Sequence, residues 1–437
     1  MNDAHSASLT GSATASEYQQ TAMNGAATLA EQRFWKWTAL GLGVLAFAKG
    51  IRLPNSWSYT QAQLDYSAGF IRRGFFGATV GHLLQLNRYS HFAVFSTVLL
   101  LLLMAVLVLL ARSSKLAERT PPGELLAVYA SSYSVSYLAH LNGYFDIVLA
   151  LLCVGPLFIR RTGWRMAAAA CATVAGILVH EQFFFAFLPI LVVGVLFGAA
   201  KAGSSAERLR GWVGAALLLL LGVGMMLYFA RHSALTTAQN DQLRQSIANK
   251  TDGALNTEVF KGETLTPEAN LGIMKQVWRR KTYVPAQLES LLMFAPTAVV
   301  LSWATLFLLR RWMPDRYRRI YVGVLIATLA PLRLNLLGWD LCRWNELLSL
   351  NAFLMLLLVS RLIGGEPVRL PVRLRRACLL AMMLNMATGG GMMDQRHIRP
   401  FPFMRGQVDA TPMTGGHSTL AKESSEPGSR PVEYARS

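Results

Sequence analysis

Charged residues are scarce in this sequence. Of its 437 residues only 15% are Asp, Glu, Lys or Arg, and 53% are hydrophobic, whereas about 25% charged residues is usual for a soluble domain. A water-soluble fold cannot hide so much apolar surface, which excludes a soluble globular enzyme. Cysteine is scarce as well. The four cysteines have no regular spacing, which excludes a disulfide framework or a zinc module. These absences indicate a polytopic membrane protein.

Apolar runs of the length that crosses a bilayer, about 17–25 residues, recur after residue 33. They predict an all-α membrane helix bundle over residues 34–393 with about eleven transmembrane helices. The predicted spans are 34–51, 91–111, 122–140, 145–159, 165–180, 183–200, 211–230, 288–309, 320–337, 345–362 and 377–393. Residues 1–33, rich in Ser, Ala and Thr, predict a disordered N-terminal segment, and residues 394–437 predict a flexible polar tail.

Basic residues predict the orientation of these spans. If the N-terminus is cytoplasmic, alternate loops carry clusters of Lys and Arg, at 112–119, 160–165, 201–210, 310–319 and 369–376. The short loops on the other side hold one basic residue, Arg343. By the positive-inside rule the topology is N-in and C-out. This asymmetry accounts for much of the formal net charge of +18 without any nucleic-acid partner.

Two of the predicted outside loops are long, 52–90 and 231–287. Within the first, segment 69–86 is too interrupted to span a bilayer. Its apolar face, together with Arg72, Arg73 and His82, predicts a helix lying along the membrane surface. The second loop carries a basic cluster, Arg279, Arg280 and Lys281.

Ionisable residues near the apolar segments are costly and often functional. Those on the predicted outside face are Asp65, Arg72, Arg73, His140, Asp146, His180, Glu181, Arg333, Asp340 and Arg343. Each has a structural alternative, as a helix cap, an interfacial helix end, a lipid anchor or a local ion pair. Four acids from four separate outside connections, with arginines among them, favour a shared functional site.

The third span carries a tyrosine stripe. Tyr129, Tyr133 and Tyr137 follow at intervals of four residues, with serines on an adjoining face. Hydroxyl groups at this density do not suit a lipid-facing surface, so the helix is expected to line a polar cavity, where tyrosine rings suit the faces of sugars. Ordinary helix–helix packing explains the stripe equally well.

Carboxylates and arginines beside an interfacial helix suit a lipid-linked anionic substrate. Glycosyl transfer from a polyprenyl phosphate needs a base for the acceptor hydroxyl and positive charge at the departing phosphate. A divalent metal held by two acids, Mg²⁺ or Mn²⁺, is an alternative source of that charge. The candidates are Asp65, Asp146, Glu181 and Asp340 for catalysis, Arg72, Arg73, Arg333 and Arg343 for phosphate binding, and His180, Tyr133 and Tyr137 for sugar binding.

The layout over about residues 34–200 resembles the GT-C superfamily of multi-spanning glycosyltransferases, which use polyprenyl-phosphate sugars on the outer face. The resemblance is carried by Asp65 with its interfacial segment, by Asp146, and by the His-Glu of VHEQFFFAFLP. It implies that Asp65 is the base, while Asp146 and Glu181 assist in metal, acceptor or phosphate binding. The first two outside loops lack an Asp-x-Asp motif, which puts metal dependence in doubt.

DYSAGFIRRGFFG and GWDLCRW also look like stretches of bacterial membrane proteins of surface-polysaccharide assembly, including Wzy-type polymerases. That resemblance implies that residues 279–281 bind a lipid pyrophosphate, and the composition, rich in Ala, Leu and Arg, fits a bacterial inner membrane protein. The implied partners are a polyprenyl-linked sugar donor, a glycan acceptor and the lipid bilayer.

Three other classes stay open. Intramembrane acids and arginines also suit a transporter or lipid flippase, although transporters usually place them near the midplane and show repeats. A membrane acyltransferase with His180 as its base is a further alternative, and a structural role is the last.

Overall fold

Helices make up the regular structure of the chain. A computed structural model describes residues 7–159, 161–201, 204–281, 283–338 and 340–387, and no strand occurs within them. The first helices are α1 (Ala7–Gly50), α2 (Ser56–Gln63), α3 (Gly74–Phe76), α4 (Tyr89–Ser114), α5 (Leu116–Arg119), α6 (Glu124–Ala130), α7 (Tyr133–His140), α8 (Phe145–Leu157), α9 (Thr162–Val179) and α10 (Gln182–Ala186). They are followed by α11 (Leu188–Lys201), α12 (Ser205–His232), α13 (Thr237–Ala248), α14 (Thr257–Glu263), α15 (Pro267–Trp278), α16 (Tyr283–Trp312), α17 (Tyr317–Leu329), α18 (Leu341–Leu362) and α19 (Val372–Ala387).

Among the described residues, six helical stretches are long and apolar enough to cross a membrane. They are Tyr89–Arg119, Thr162–Val179, Ser205–His232, Tyr283–Trp312, Tyr317–Leu336 and Leu341–Leu362. Helices α8 and α11 are apolar but shorter. Each predicted span overlaps a helix, so the all-helical class is confirmed, and the six apolar helices support a multi-pass membrane protein. The number eleven and the orientation stay predictions.

Helix α18 lies at the centre of the bundle. It packs against α4, α7, α11, α16 and α17. In its most apolar window 89% of the residues are buried, compared with 28% in the leucine-rich windows of α4 and α12. The polar side chains near the start of α18 are therefore enclosed by protein.

The predicted third span is interrupted. It forms α6 and α7, which are separated at Ser131 and Ser132. Ser131 Oγ donates a hydrogen bond to the carbonyl of Val128 at 3.0 Å, the local bonding by which serine competes with a continuing helix. The break divides the tyrosine stripe: Tyr129 stays on α6, and Tyr133 lies on α7.

The two long predicted outside loops fold together. Leu64 and Ile71 of the first loop share an apolar core with Leu243 and Phe260 of the second. Hydrogen bonds join the same loops, including one from Asn256 N to Thr60 Oγ1 at 2.8 Å. We call residues 52–88 and 233–281 the loop layer.

The predicted interfacial helix at 69–86 is shorter in the structure. Helix α3 continues into a π-helix, Gly77–Gly81. Gly77 packs against the backbone of Leu64, since an added Cβ would lie 2.2 Å from its carbonyl oxygen. This close packing fixes the segment within the loop layer. Its position at a membrane surface stays a prediction.

At the N-terminus α1 begins at Ala7, inside the segment for which the composition predicts disorder. The predicted C-terminal tail, 394–437, and the end of the last predicted span lie outside the described residues.

Candidate functional site

A tight turn between α7 and α8 positions the first site residue, Asp146. Gly143 has φ +91°, a conformation that favours glycine. An added Cβ there would lie 2.8 Å from Pro54 Cβ and from Ser58 Oγ, so the turn is pressed against the loop layer. Asp146 follows in the first turn of α8, where the helix dipole favours an acid.

Asp146 forms a buried ion pair with Arg343 at the start of α18. Arg343 Nε donates to Oδ2 at 2.8 Å, and Nη2 lies 2.6 Å from the same oxygen. Gln182 Nε2 donates to the other oxygen at 2.6 Å. The Asp146 side chain is 0% exposed and that of Arg343 7%. The carboxylate is therefore fully partnered, which suits positioning of Arg343 better than proton transfer.

A second acid lies beside the same arginine. Asp340 Oδ2 is 3.9 Å from Arg343 Nη1, and the Asp340 side chain is 43% exposed. The Arg343 guanidinium also lies 5.0 Å from the centre of the Tyr144 ring. Arg343 thus contacts both the buried Asp146 of α8 and the partly exposed Asp340 at the start of α18. We call Asp146, Gln182, Asp340 and Arg343 the Asp146–Arg343 cluster.

A second cluster surrounds Arg73 of the loop layer. Its guanidinium forms a bidentate pair with Glu181, from Nη2 to Oε1 at 2.6 Å and from Nε to Oε2 at 3.2 Å. Glu263 Oε1 lies 3.9 Å from Arg73 Nη1. His180 Nδ1 is 3.3 Å from Glu181 Oε2 and accepts a hydrogen bond from Gln182 N. We call Arg73, His180, Glu181 and Glu263 the Arg73–Glu181 cluster.

The pKa values of the two acids around Arg73 are shifted in opposite directions. Burial raises the pKa of Glu181, but Arg73 and His180 outweigh it and hold that pKa well below the ordinary value. Burial raises the pKa of Glu263, and the opposing effect of Arg73 and Arg72 is too weak to reverse it. Glu263 is 0% exposed, and neither of its oxygens has a hydrogen-bond partner. One arginine therefore holds an ionised acid beside an acid that resists ionisation.

The two clusters meet at the turn between α9 and α10. His180 and Glu181 belong to one cluster, while the next residue, Gln182, bonds to Asp146 in the other. The turn is tight because Gly176 lies against the Phe183 ring, 2.4 Å from where a Cβ would stand. Three of the four predicted catalytic acids, Asp146, Glu181 and Asp340, thus belong to one continuous network.

The fourth acid, Asp65, has other partners. Its carboxylate accepts a hydrogen bond from Ser67 N at 3.0 Å and lies 3.5 Å from Lys250 Nζ. Both partners belong to the loop layer. The family resemblance implies that Asp65 is the base. In the structure its carboxylate contacts Ser67 and Lys250, so it joins the two loops of the loop layer.

The other predicted binding residues are distributed as follows. Arg72 Nη2 donates to the carbonyl of Gly262 at 2.7 Å, next to Glu263. Arg333 is exposed on a 3-10 helix, Ala330–Leu336, which ends before α18, so the arginine and Asp340 are not on one continuous helix. Tyr133 and Tyr137 are buried with their rings edge-on to Phe294. The basic residues at 279–281 are exposed.

An apolar groove of about 380 Å³ is lined by residues of the loop layer, α9 and α12. Its lining includes Phe70, Leu178, Leu220, Gly224 and Tyr228. In the chain, Phe70 precedes Arg73 by three residues and Leu178 precedes Glu181 by three.

Within the described ranges no group of three His, Cys, Asp or Glu side chains is placed to hold a metal ion. The acids predicted to share Mg²⁺ or Mn²⁺ lie instead against arginines. The arginines therefore take the place that a divalent cation would have, and these residues do not fit the metal alternative.

Three site residues were missed by sequence reasoning. Glu263 lies in a polar loop with no signal to mark it, and Gln182 is uncharged. Glu346, in the second turn of α18, is 0% exposed and lacks a hydrogen-bond partner at either oxygen. An acid inside a predicted span was the signal that could have found it.

Comparisons with protein-family models, with curated proteins and with solved structures return no match.

Proposed function

We propose that this chain is an integral membrane glycosyltransferase. In this proposal it acts at the extracytoplasmic face of a bacterial inner membrane on polyprenyl-(pyro)phosphate-linked sugars, in the assembly of a surface polysaccharide. The observation that carries the proposal is the arrangement of Asp340, Arg343 and Asp146, in which a solvent-exposed carboxylate and a buried carboxylate contact the same arginine.

The two acids suit different tasks. A general base must reach the acceptor hydroxyl, and Asp340, with 43% of its side chain exposed, is the accessible acid of the pair. Asp146 is enclosed and fixes the guanidinium of Arg343. A fixed guanidinium can stabilise the negative charge that develops on the leaving phosphate without reorganising during the reaction. We therefore assign the base to Asp340 and leave Asp65 a role in folding the loop layer.

The groove supports a lipid-linked donor. Its apolar lining suits an isoprenoid tail, and Arg72 and Arg73, which follow Phe70 closely in the chain, suit the phosphate at the head of that tail. Arg72 Nε is buried without a hydrogen-bond partner, so it retains a donor for an anion. Arg73 is bound to Glu181, and a phosphate would compete with that carboxylate for the same fork.

The experiment that tests the proposal is deletion of the gene followed by analysis of lipid-linked glycans. An incomplete or unpolymerised lipid-linked glycan should accumulate and the surface polysaccharide should be lost. Wild type and Asp65→Asn should restore the polysaccharide, whereas Asp340→Asn, expressed to the same level, should not.

The accumulated species separates the alternatives. A truncated repeat unit indicates transfer of one sugar, and a complete single unit on the outer face indicates polymerisation. A complete unit retained on the cytoplasmic face would contradict the enzyme and indicate a flippase. Unchanged glycans, or full rescue by Asp340→Asn, would also contradict the proposal.

A further inference from the structure

A buried carboxyl lies behind the Asp146–Arg343 cluster. Glu346 follows Arg343 by three residues on α18, so it lies almost one helical turn deeper in the bundle. Its side chain is 0% exposed, and both carboxyl oxygens lack a hydrogen-bond partner. The mechanism proposed above makes no use of it.

A buried hydroxyl group lies near this position. The Tyr129 hydroxyl, on α6, interacts electrostatically with Glu346 and lies close to Ser134 of α7. It forms no hydrogen bond to either oxygen of Glu346. Within the part of the chain that the structure describes, no group therefore donates a hydrogen bond to the Glu346 carboxyl.

The charged groups that act on Glu346 are Asp146 and Arg343. Arg343 Nε is bound to Asp146, and its Nη1 lies toward Asp340. An ionised Glu346 would be a third acid on one arginine, and it would be repelled by Asp146. A carboxylate without a partner in an enclosed apolar setting is so costly that the group takes up a proton instead.

We infer that Glu346 is a proton-binding site, occupied at neutral pH, whose carboxylic acid stands next to the Asp146–Arg343 ion pair. The ligand of this site is a proton, which gives the carboxyl an O–H donor of its own. The inference goes beyond sugar transfer and does not depend on it.

The test is an infrared comparison of the purified full-length protein with Glu346→Gln, both at neutral pH. We expect the variant to lose the carbonyl band of a protonated carboxylic acid, a band that shifts in heavy water. Loss of carboxylate bands with the carbonyl region unchanged would overturn the inference.

Folding and chemical labelling give independent readouts. Glutamine is a neutral isostere of a protonated glutamate, so Glu346→Gln should keep the wild-type Tm. Failure of this variant to fold would contradict a protonated Glu346. A hydrophobic carbodiimide, which reacts with protonated carboxyls, should modify Glu346 in wild type. The matched control is Glu124, which is 2% exposed but paired with Arg375 at 2.8 Å and should not react. Equal labelling of both, or labelling of Glu124 alone, would contradict the proton site.

Discussion

Arg343 and Asp146 are 197 residues apart in the chain, and Arg343 Nη2 lies 2.6 Å from Asp146 Oδ2. The pair joins the first turn of α8 to the first turn of the central helix α18. It therefore fixes where both helices begin, next to the loop layer. Because Gln182 holds the other oxygen of Asp146, the same contact also positions the turn that carries His180 and Glu181.

Removing the arginine should destabilise the fold. Arg343→Ala leaves Asp146 as a buried charge without its partner, which typically costs about 3–5 kcal/mol. Thermal unfolding in detergent should show a clear fall in Tm, and the double variant with Asp146→Asn should recover part of it. The control is Arg333→Ala, at an exposed arginine, which should change stability by no more than about 0.5 kcal/mol. Equal Tm values for Arg343→Ala and wild type would contradict the structural role of the pair.

Glu263 should make stability depend on pH. Because the pKa of Glu263 is raised on folding, the folded chain holds a proton that the unfolded chain releases. The contribution is fully present below the ordinary glutamate pKa and is lost as pH rises through the raised value. Glu263→Gln should therefore flatten the fall in Tm with rising pH above about 4.5.

The control for this titration is Glu258→Gln, on the same helix, since Glu258 is exposed and paired only with nearby Lys261. The control should keep the wild-type slope. A Glu263→Gln curve parallel to that of wild type would show that Glu263 is ionised in the folded chain.

Filling the apolar groove should weaken binding of a lipid-linked donor. Gly224 lines the groove, and no neighbouring atom lies within 4 Å of the position of an added Cβ, so Gly224→Phe adds a ring at the groove lining with room for its Cβ. Photocrosslinking with a polyprenyl phosphate probe should fall in this variant. Gly41→Phe is the matched control, because Gly41 of α1 has equally open surroundings and lies outside the groove. An equal crosslinking yield in both variants would show that the groove does not bind the polyprenyl phosphate probe.

Sequence patterning predicted the helical membrane class because apolar runs of bilayer length need no tertiary information. The acids at the ends of α8 and α9 could be found in the same way, since each stands at the edge of an apolar run. Their partners could not be found, because the pairing of Asp146 with Arg343 depends on how α8 packs against α18. The break between α6 and α7 was missed because the hydropathy of residues 122–140 continues across Ser131 and Ser132.

The structure places Asp65 apart from the other three predicted acids. The sequence suggested a common site because all four acids lie on separate connections of the predicted outside face. In the folded loop layer Arg73 reaches Glu181, while Asp65 lies near Lys250, a contact between loops that are distant in the chain.

The most direct test of the central claim is sugar transfer by the purified protein, measured with a polyprenyl-linked donor and its glycan acceptor identified from the deletion strain. The account predicts that the wild type forms a new glycosidic bond, that Asp340→Asn slows this step by about 100-fold or more, the range for loss of a general base, and that Asp65→Asn stays close to wild type. Transfer by Asp340→Asn at the wild-type rate, or absence of any glycosidic product with wild-type protein and both substrates present, would contradict it.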